Sequence, residues 1–145
     1  MRIAVINGPN LNLLGTREPE IYGSATLADI EKNLRGIATE IGAEISFSQH
    51  NGEGDLIDAI HACRGNVDGI VINAAAYSHT SLAIRDALTG ISKPFVEVHL
   101  TNVFARDPAR HKSMIADAAV GFVCGFGAAS YELALRGLVR KLSNG

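Results

Sequence analysis

Five short apolar runs alternate with five helical patterns along the chain, and that alternation restricts the fold more than any other feature. The runs predict strands at Arg2–Asn7, Glu44–Gln49, Gly69–Asn73, Phe95–His99 and Ala119–Cys124. Between them, Leu27, Ile30, Leu34, Ile37 and Ile41 recur at helical spacing, which predicts a helix over Leu27–Ile41. Thr26 before it, with Asp29 three residues on, has the pattern of a capping box. A second helix is expected over Asp55–Arg64, with Leu56, Ile60 and Cys63 on its apolar face. A third follows Thr80 or Ser81 and ends near Thr89. A short fourth is expected over Ala109–Ile115, after Pro108. The last spans about Ala128–Leu142 and presents Tyr131, Leu135, Leu138 and Leu142.

Strands alternating with helices build a mostly parallel sheet covered on both faces. Ile3-Ala-Val-Ile6 and Gly69-Ile-Val-Ile72 are apolar without interruption, as strands buried on both sides must be. The expected class is therefore α/β: a flavodoxin-like three-layer sandwich whose five-stranded parallel sheet has the order 2-1-3-4-5. One domain, residues 1–145, is expected. Ligands of such sheets bind at the carboxyl ends of the strands, where the order reverses between strands 1 and 3. The loops after strands 1, 3 and 4 should then hold the chemistry.

Those loops are distinctive. Strand 1 stops at Gly8-Pro9 and gives way to an irregular segment, Asn10 to Gly23, long enough to be a lid or a binding loop. Leu11, Leu13, Leu14 and Ile21 make it too apolar for a disordered segment. It carries Asn10, Asn12, Arg17 and Tyr22. A free tyrosine has a pKa near 10, and a guanidinium beside it favours the phenolate; an arginine and a tyrosine on one lid suit proton abstraction. After strand 3 come Asn73 and His79. Strand 4 ends in Glu97-Val-His99, residues i and i+2 that share a face, so the carboxylate can orient the imidazole as a general acid. Downstream, Arg106 and Arg110 offer planar forks for a carboxylate, Arg110 being the favoured one. The loop after strand 2, Asn51-Gly-Glu-Gly54, reads as turn chemistry.

Several other functions are disfavoured. A net charge of −2 does not suit nonspecific nucleic-acid binding, and no apolar run approaches the roughly 20 residues of a membrane span. The amino terminus lacks a secretory pattern. The five histidines lack metal-ligand spacing, so no metal site is expected; His50, His61 and His111 read as partly exposed or capping residues. Cys63 and Cys124 read as buried reduced thiols, which suits a cytoplasmic protein. Gly125-Phe-Gly127 follows the last strand and reads as a strand-to-helix turn, not a dinucleotide fingerprint. Asn7 and Gly8 stand where a response regulator needs acidic residues.

Taken together, Gly8-Pro-Asn-Leu-Asn-Leu-Leu-Gly15, Arg17-Glu-Pro-Glu-Ile-Tyr-Gly23, His79-Thr-Ser81 with Arg85-Asp86, and Glu97-Val-His-Leu with Asn102 resemble the type II 3-dehydroquinate dehydratases. The resemblance runs essentially end to end. It implies reversible dehydration of 3-dehydroquinate to 3-dehydroshikimate through an enolate, without a cofactor, in the shikimate route to aromatic amino acids or in quinate breakdown. It implies Tyr22 as base, Arg17 as its electrostatic support, and His99 as the acid with Glu97 behind it. Asn10 and Asn73 would help hold a water against the enolate oxygen. His79, Arg110 and the backbone of Leu100 and Thr101 would bind hydroxyl and carboxylate groups, and Asp86 would reach substrate across a subunit boundary. A homododecamer, four trimers, is implied as well. The chain departs from the family pattern in two places: Asn73-Ala-Ala-Ala76 stands where many members have Asn-Pro-Gly-Ala, and Thr101 replaces the commoner serine. The rival expectation is a non-catalytic flavodoxin-like module that binds small anions or serves assembly.

Overall fold

The computed structural model describes residues 1–16 and 18–145, with the side chains of Pro19 and Tyr22 left aside. Its strands are β1 (Arg2–Asn7), β2 (Glu44–Gln49), β3 (Gly69–Asn73), β4 (Phe95–His99) and β5 (Gly121–Cys124), in one sheet of order β2-β1-β3-β4-β5. All four pairings are parallel, as the sequence predicts. Every residue of β3 and β4 is buried, and half-buried β2 and β5 form the two edges.

Helices α2 (Leu27–Ile41) and α5 (Ala129–Ser143) cover one face; α3 (Glu53–Ala62) and α4 (Leu82–Gly90) cover the other. Strand alternation divides the core accordingly. Ile3, Val5, Val71, Val96 and Val98 point to the α2/α5 side, with Leu34, Leu135 and Leu138. Ala4, Ile6, Ile70, Ile72 and Phe95 point to the α3/α4 side, with Leu56, Ile60, Ile84 and Leu88. Each of these Val, Leu, Ile or Phe side chains contributes about 1.5–3 kcal/mol when fully buried.

Local signals set the helix ends. The Thr26 hydroxyl accepts from Asp29 N–H at 3.1 Å, and the Asp29 carboxylate accepts from Thr26 N–H at 3.0 Å, so the capping box is formed. The bond from Thr26 N–H, with the Thr26 hydroxyl beside it, holds the Asp29 carboxyl below its usual range. Gly42 ends α2 at φ 75°, a left-handed position that glycine takes without steric cost. Ser81 caps α4 by accepting from Ile84 N–H, while its own proton goes to Glu53 at 2.5 Å.

Four expectations need correction. The helix expected over Ala109–Ile115 is absent; short 3₁₀ turns stand at Pro108–Arg110 and Ala116–Ala118. The cause is competition for backbone donors. Ser113 Oγ takes the N–H groups of Ile115 and Ala116, and Met114 N–H donates to the Ser78 carbonyl at 2.7 Å. The second 3₁₀ turn also delays β5 to Gly121, two residues after the expected start. Cys124, on that edge strand, is only half-buried, whereas Cys63 is buried; both are free thiols, and burial pushes the Cys63 thiol up. The irregular first loop holds a 3₁₀ turn (Leu11–Leu13) and the four-residue helix α1 (Pro19–Tyr22).

Candidate active site

A cleft opens at the carboxyl ends of β1, β3 and β4, where the topology predicts it. Eight of the twelve expected site residues line it: Asn10, Asn73, His79, His99, Leu100, Thr101, Arg106 and Arg110. Glu97 lies directly behind His99. Asp86 sits on the exposed face of α4 and does not line the cleft of its own chain. Arg17 and the Tyr22 side chain lie outside the described residues. A wider groove follows the β2 edge between Glu44, Ser46, Ala59 and Cys63; it is mainly apolar and takes up none of the expected site residues.

Two buried polar networks shape the cleft, one on each face of the sheet. The first starts from parallel register, which sets Asn7 beside Asn73 at the ends of β1 and β3. Tyr131 on α5, fully buried, donates its hydroxyl proton to Asn7 Oδ1 at 2.6 Å and accepts from Asn73 Nδ2 at 2.9 Å. Asn7 Nδ2 donates to the Ser48 carbonyl, and Asn73 Oδ1 accepts from Ala75 N–H at 3.1 Å. Because a backbone N–H can only donate, Asn73 Oδ1 must face Ala75, and the amide orientation is determined. What Asn73 has left for the cleft is the second N–H of its amide, a donor. Burial drives the Tyr131 phenol well above the ordinary range. It serves as a neutral structural hydroxyl.

The second network is charged. Glu97 is fully buried and His99 is 6% exposed. The Glu97 carboxylate meets His99 Nε2 at 2.5 Å through Oε2, and accepts from Ser113 Oγ at 2.6 Å through Oε1. With Nε2 engaged, Nδ1 is the ring nitrogen of His99 left for chemistry in the cleft. His79 stacks on it, ring centroids 5.8 Å apart and planes 18° from parallel. His79 Nδ1 lies 2.8 Å from the Lys112 carbonyl, an acceptor only, so Nδ1 carries the proton and Nε2 is left as an acceptor in the neutral ring.

The loop after β2 does more than turn the chain. Asn51 Oδ1 accepts from Asn10 N–H at 3.0 Å and from Gln49 Nε2 at 2.9 Å, and Gln49 Nε2 also donates to the Gly8 carbonyl. Asn10 is thereby pinned at φ 70°, a left-handed conformation that asparagine tolerates. Leu11 and Leu14 anchor the loop in the core, while Leu13 and Ile21 are exposed. Gly8 is required by close approach: a Cβ there would stand 2.6 Å from the Ala74 carbonyl oxygen. Arg110 Nε donates to Asp107 at 3.0 Å, which aims the half-buried guanidinium along the cleft wall.

Ser113, Tyr131, Asn7, Gln49 and Asn51 escaped the sequence reading. Asn7 carried a usable signal, since an amide ending a doubly buried strand beside Asn73 demands a buried partner. Tyr131 did not: at helical spacing among leucines it looks like core. Among the described residues no group of three or more His, Cys, Asp or Glu side chains suits a metal ion, and no helix is long and apolar enough to cross a membrane.

An α/β sheet with a histidine–carboxylate pair and a polar cleft at its switch point defines a parallel-sheet protein built to hold a small polar molecule, and similarity resolves the class to a family. The family model for dehydroquinase class II matches residues 1–139, so the chain belongs to that family. It is 59% identical to a 3-dehydroquinate dehydratase of Gemmatimonas aurantiaca, over 98% of this chain and 93% of that one. Identity to the 3-dehydroquinate dehydratase of Prochlorococcus marinus is 57%, covering 98% of each. The crystal structure of a type II dehydroquinase from Butyrivibrio crossotus superposes with a TM-score of 0.93 at 41% identity, covering 95% of this chain and 97% of that one.

The backbone at Ala75 is unusual for a residue that carries a Cβ. Ala75 adopts φ 52°, the left-handed region. The loop keeps a glycine-like conformation although its residue has a Cβ.

Proposed function

We propose that this chain catalyses the reversible dehydration of 3-dehydroquinate to 3-dehydroshikimate through an enolate. The observation that carries the reading is the buried Glu97–His99 pair opening onto a cleft that also holds Asn10, Asn73, His79 and Arg110. A proton next to a ketone leaves with its bonding electrons shifted onto the carbonyl oxygen, which gives the enolate. Tyr22 takes that proton, and Arg17 supports its phenolate. The enolate then expels the hydroxyl group across the new double bond, and His99 Nδ1 supplies the proton that makes it water. A positioned acid is worth about 10²–10⁴-fold in rate. Asn10 and the Asn73 amide N–H hold a water against the enolate oxygen. His79 Nε2 accepts a substrate hydroxyl; Arg110, with Arg106 beside it, and the backbone of Leu100 and Thr101 bind the anionic end.

The residues supply acid, base and anion recognition among themselves, so the proposal includes no cofactor. It includes a cytoplasmic enzyme of the shikimate pathway or of quinate breakdown, and a homododecamer built as four trimers, in which Asp86 reaches a neighbouring site.

The test mixes purified protein with 3-dehydroquinate and follows the near-ultraviolet absorbance of the conjugated enone. Absorbance should rise, and the activity should survive borohydride treatment in the presence of substrate, since no lysine imine forms. Tyr22→Phe should abolish turnover and leave ligand binding largely intact. A flat trace from folded wild-type protein would overturn the reading in favour of an anion-binding module.

A further inference from the structure

The segment after the Pro108–Arg110 turn supports both imidazoles of the cleft through consecutive residues, His79 directly and His99 by way of Glu97. The Lys112 carbonyl accepts from His79 Nδ1, and the Ser113 hydroxyl reaches Glu97, the partner of His99. The segment is itself pinned. Met114 N–H donates to Ser78, and Arg85 on α4 donates to the Met114 carbonyl at 2.9 Å and pairs with Asp117.

The proton inventory at Ser113 has one solution. Its Oγ accepts from Ile115 N–H at 3.2 Å and from Ala116 N–H at 3.0 Å, which occupies both lone pairs. The single hydroxyl proton is left for Glu97 Oε1, 2.6 Å away. A proton on that oxygen would face the hydroxyl proton head-on, so Oε1 can act only as an acceptor. The carboxylate is then held with Oε2 turned to His99 Nε2, fully out of water.

We infer that Ser113 is a positioning residue for proton donation: its hydroxyl holds Glu97 as an acceptor, which keeps one ring proton of His99 on Nε2, so that a second proton taken up from solvent on Nδ1 makes the imidazolium that donates to the departing hydroxyl. This rests on the reading of His99 as the acid. With the hydroxyl gone, Oε1 is free to carry a proton, and the carboxyl can rotate and donate to Nε2. Nε2 is then an acceptor and the ring keeps a single proton on Nδ1, as a neutral imidazole that is a far weaker acid than imidazolium.

The experiment compares Ser113→Ala, Ser113→Cys and Ser113→Thr in the full-length protein. Cysteine keeps the volume with a weak donor, and threonine keeps the hydroxyl. Steady-state kinetics with 3-dehydroquinate is paired with ¹⁵N NMR of the His99 ring in substrate-free protein. The alanine and cysteine variants should lose about 10- to 100-fold in kcat, the scale of a hydrogen bond to a charged group, with KM near wild type. Their His99 nitrogens should leave the Nε2–H pattern, and threonine should restore both readouts. An unchanged His99 pattern in the alanine and cysteine variants would overturn the inference, whether kcat held or fell in step with thermal stability. The NMR readout needs no turnover. If the wild type failed on 3-dehydroquinate, the functional reading would fall while the NMR still decided the role of Ser113.

Discussion

The two polar networks of the cleft have the same plan and opposite chemistry. Asn7–Asn73–Tyr131 lies on the α2/α5 face, and Glu97–His99–Ser113 lies on the α3/α4 face. Each closes the carboxyl end of a buried strand, and each takes its third member from a distant segment. The first is neutral and ends as a fixed hydrogen-bond donor. The second is charged and ends as a ring nitrogen able to give up a proton. A neutral network, whose members cannot change protonation near neutral pH, is suited to hold geometry. A charged one is suited to change state. Breaking the first should therefore act mainly on stability and substrate binding, and breaking the second mainly on turnover.

The largest expected effect belongs to the charged network. His99→Gln keeps a polar side chain but supplies no acid, and kcat should fall by about 10²–10⁴-fold with a much smaller change in melting temperature. A variant that instead melted far earlier at retained kcat would erase the contrast between the two networks.

Tyr131→Phe comes next and should act in the opposite sense. It leaves Asn7 Oδ1 without its donor and Asn73 Nδ2 without its acceptor, at a cost of about 1–3 kcal/mol measured by urea unfolding. The pH dependence sharpens the point. Burial raises the folded-state pKa of Tyr131 above its unfolded value. Its neutral form thus stabilises the fold fully below about pH 10, and that contribution is lost as pH rises further. Wild-type stability should decline above that pH, and Tyr131→Phe should flatten the decline.

Ala75→Gly should strengthen the neutral network slightly. A residue with a Cβ in the left-handed region costs about 1–2 kcal/mol, and glycine's greater unfolded freedom takes back about 0.4–1. The net is a stabilisation of about 1 kcal/mol or less, visible as a higher melting temperature, with the Ala75 N–H to Asn73 bond intact.

Asp117→Asn should be the mildest change. The Arg85 hydrogen bond holds the exposed Asp117 carboxyl below its usual range. The stabilisation is present above the unfolded carboxylate pKa of about 3.9 and disappears as pH falls through the lower folded value. Melting temperatures of variant and wild type should differ slightly near pH 7 and converge in acid.

The sequence made the sheet order and the position of the cleft legible, because uninterrupted apolar runs alternating with helical stripes admit few topologies. Strand periodicity made it legible that Glu97 and His99 share a face, and their place at the switch point made them candidates for chemistry. The supports behind them were not. Ser113 lies in a stretch that looks helical until its hydroxyl takes two backbone donors, and nothing local shows that Glu97, sixteen residues away, is the target. Tyr131 is separated from Asn7 by 124 positions and sits on a leucine-rich helix face. Asn51 was set down to turn chemistry, yet its side chain positions Asn10. Periodicity reports which face a residue occupies. It does not report the polar partner met there.

The central claim is that base and acid act in sequence on one enolate, with His99 serving only the departure of the hydroxyl. The most direct measurement incubates His99→Gln with 3-dehydroquinate in D₂O and follows the protons beside the ketone by NMR. The account predicts that deuterium enters that position while 3-dehydroshikimate fails to accumulate. Loss of exchange together with loss of product would contradict it, because His99 would then be needed to form the enolate and not only to collapse it.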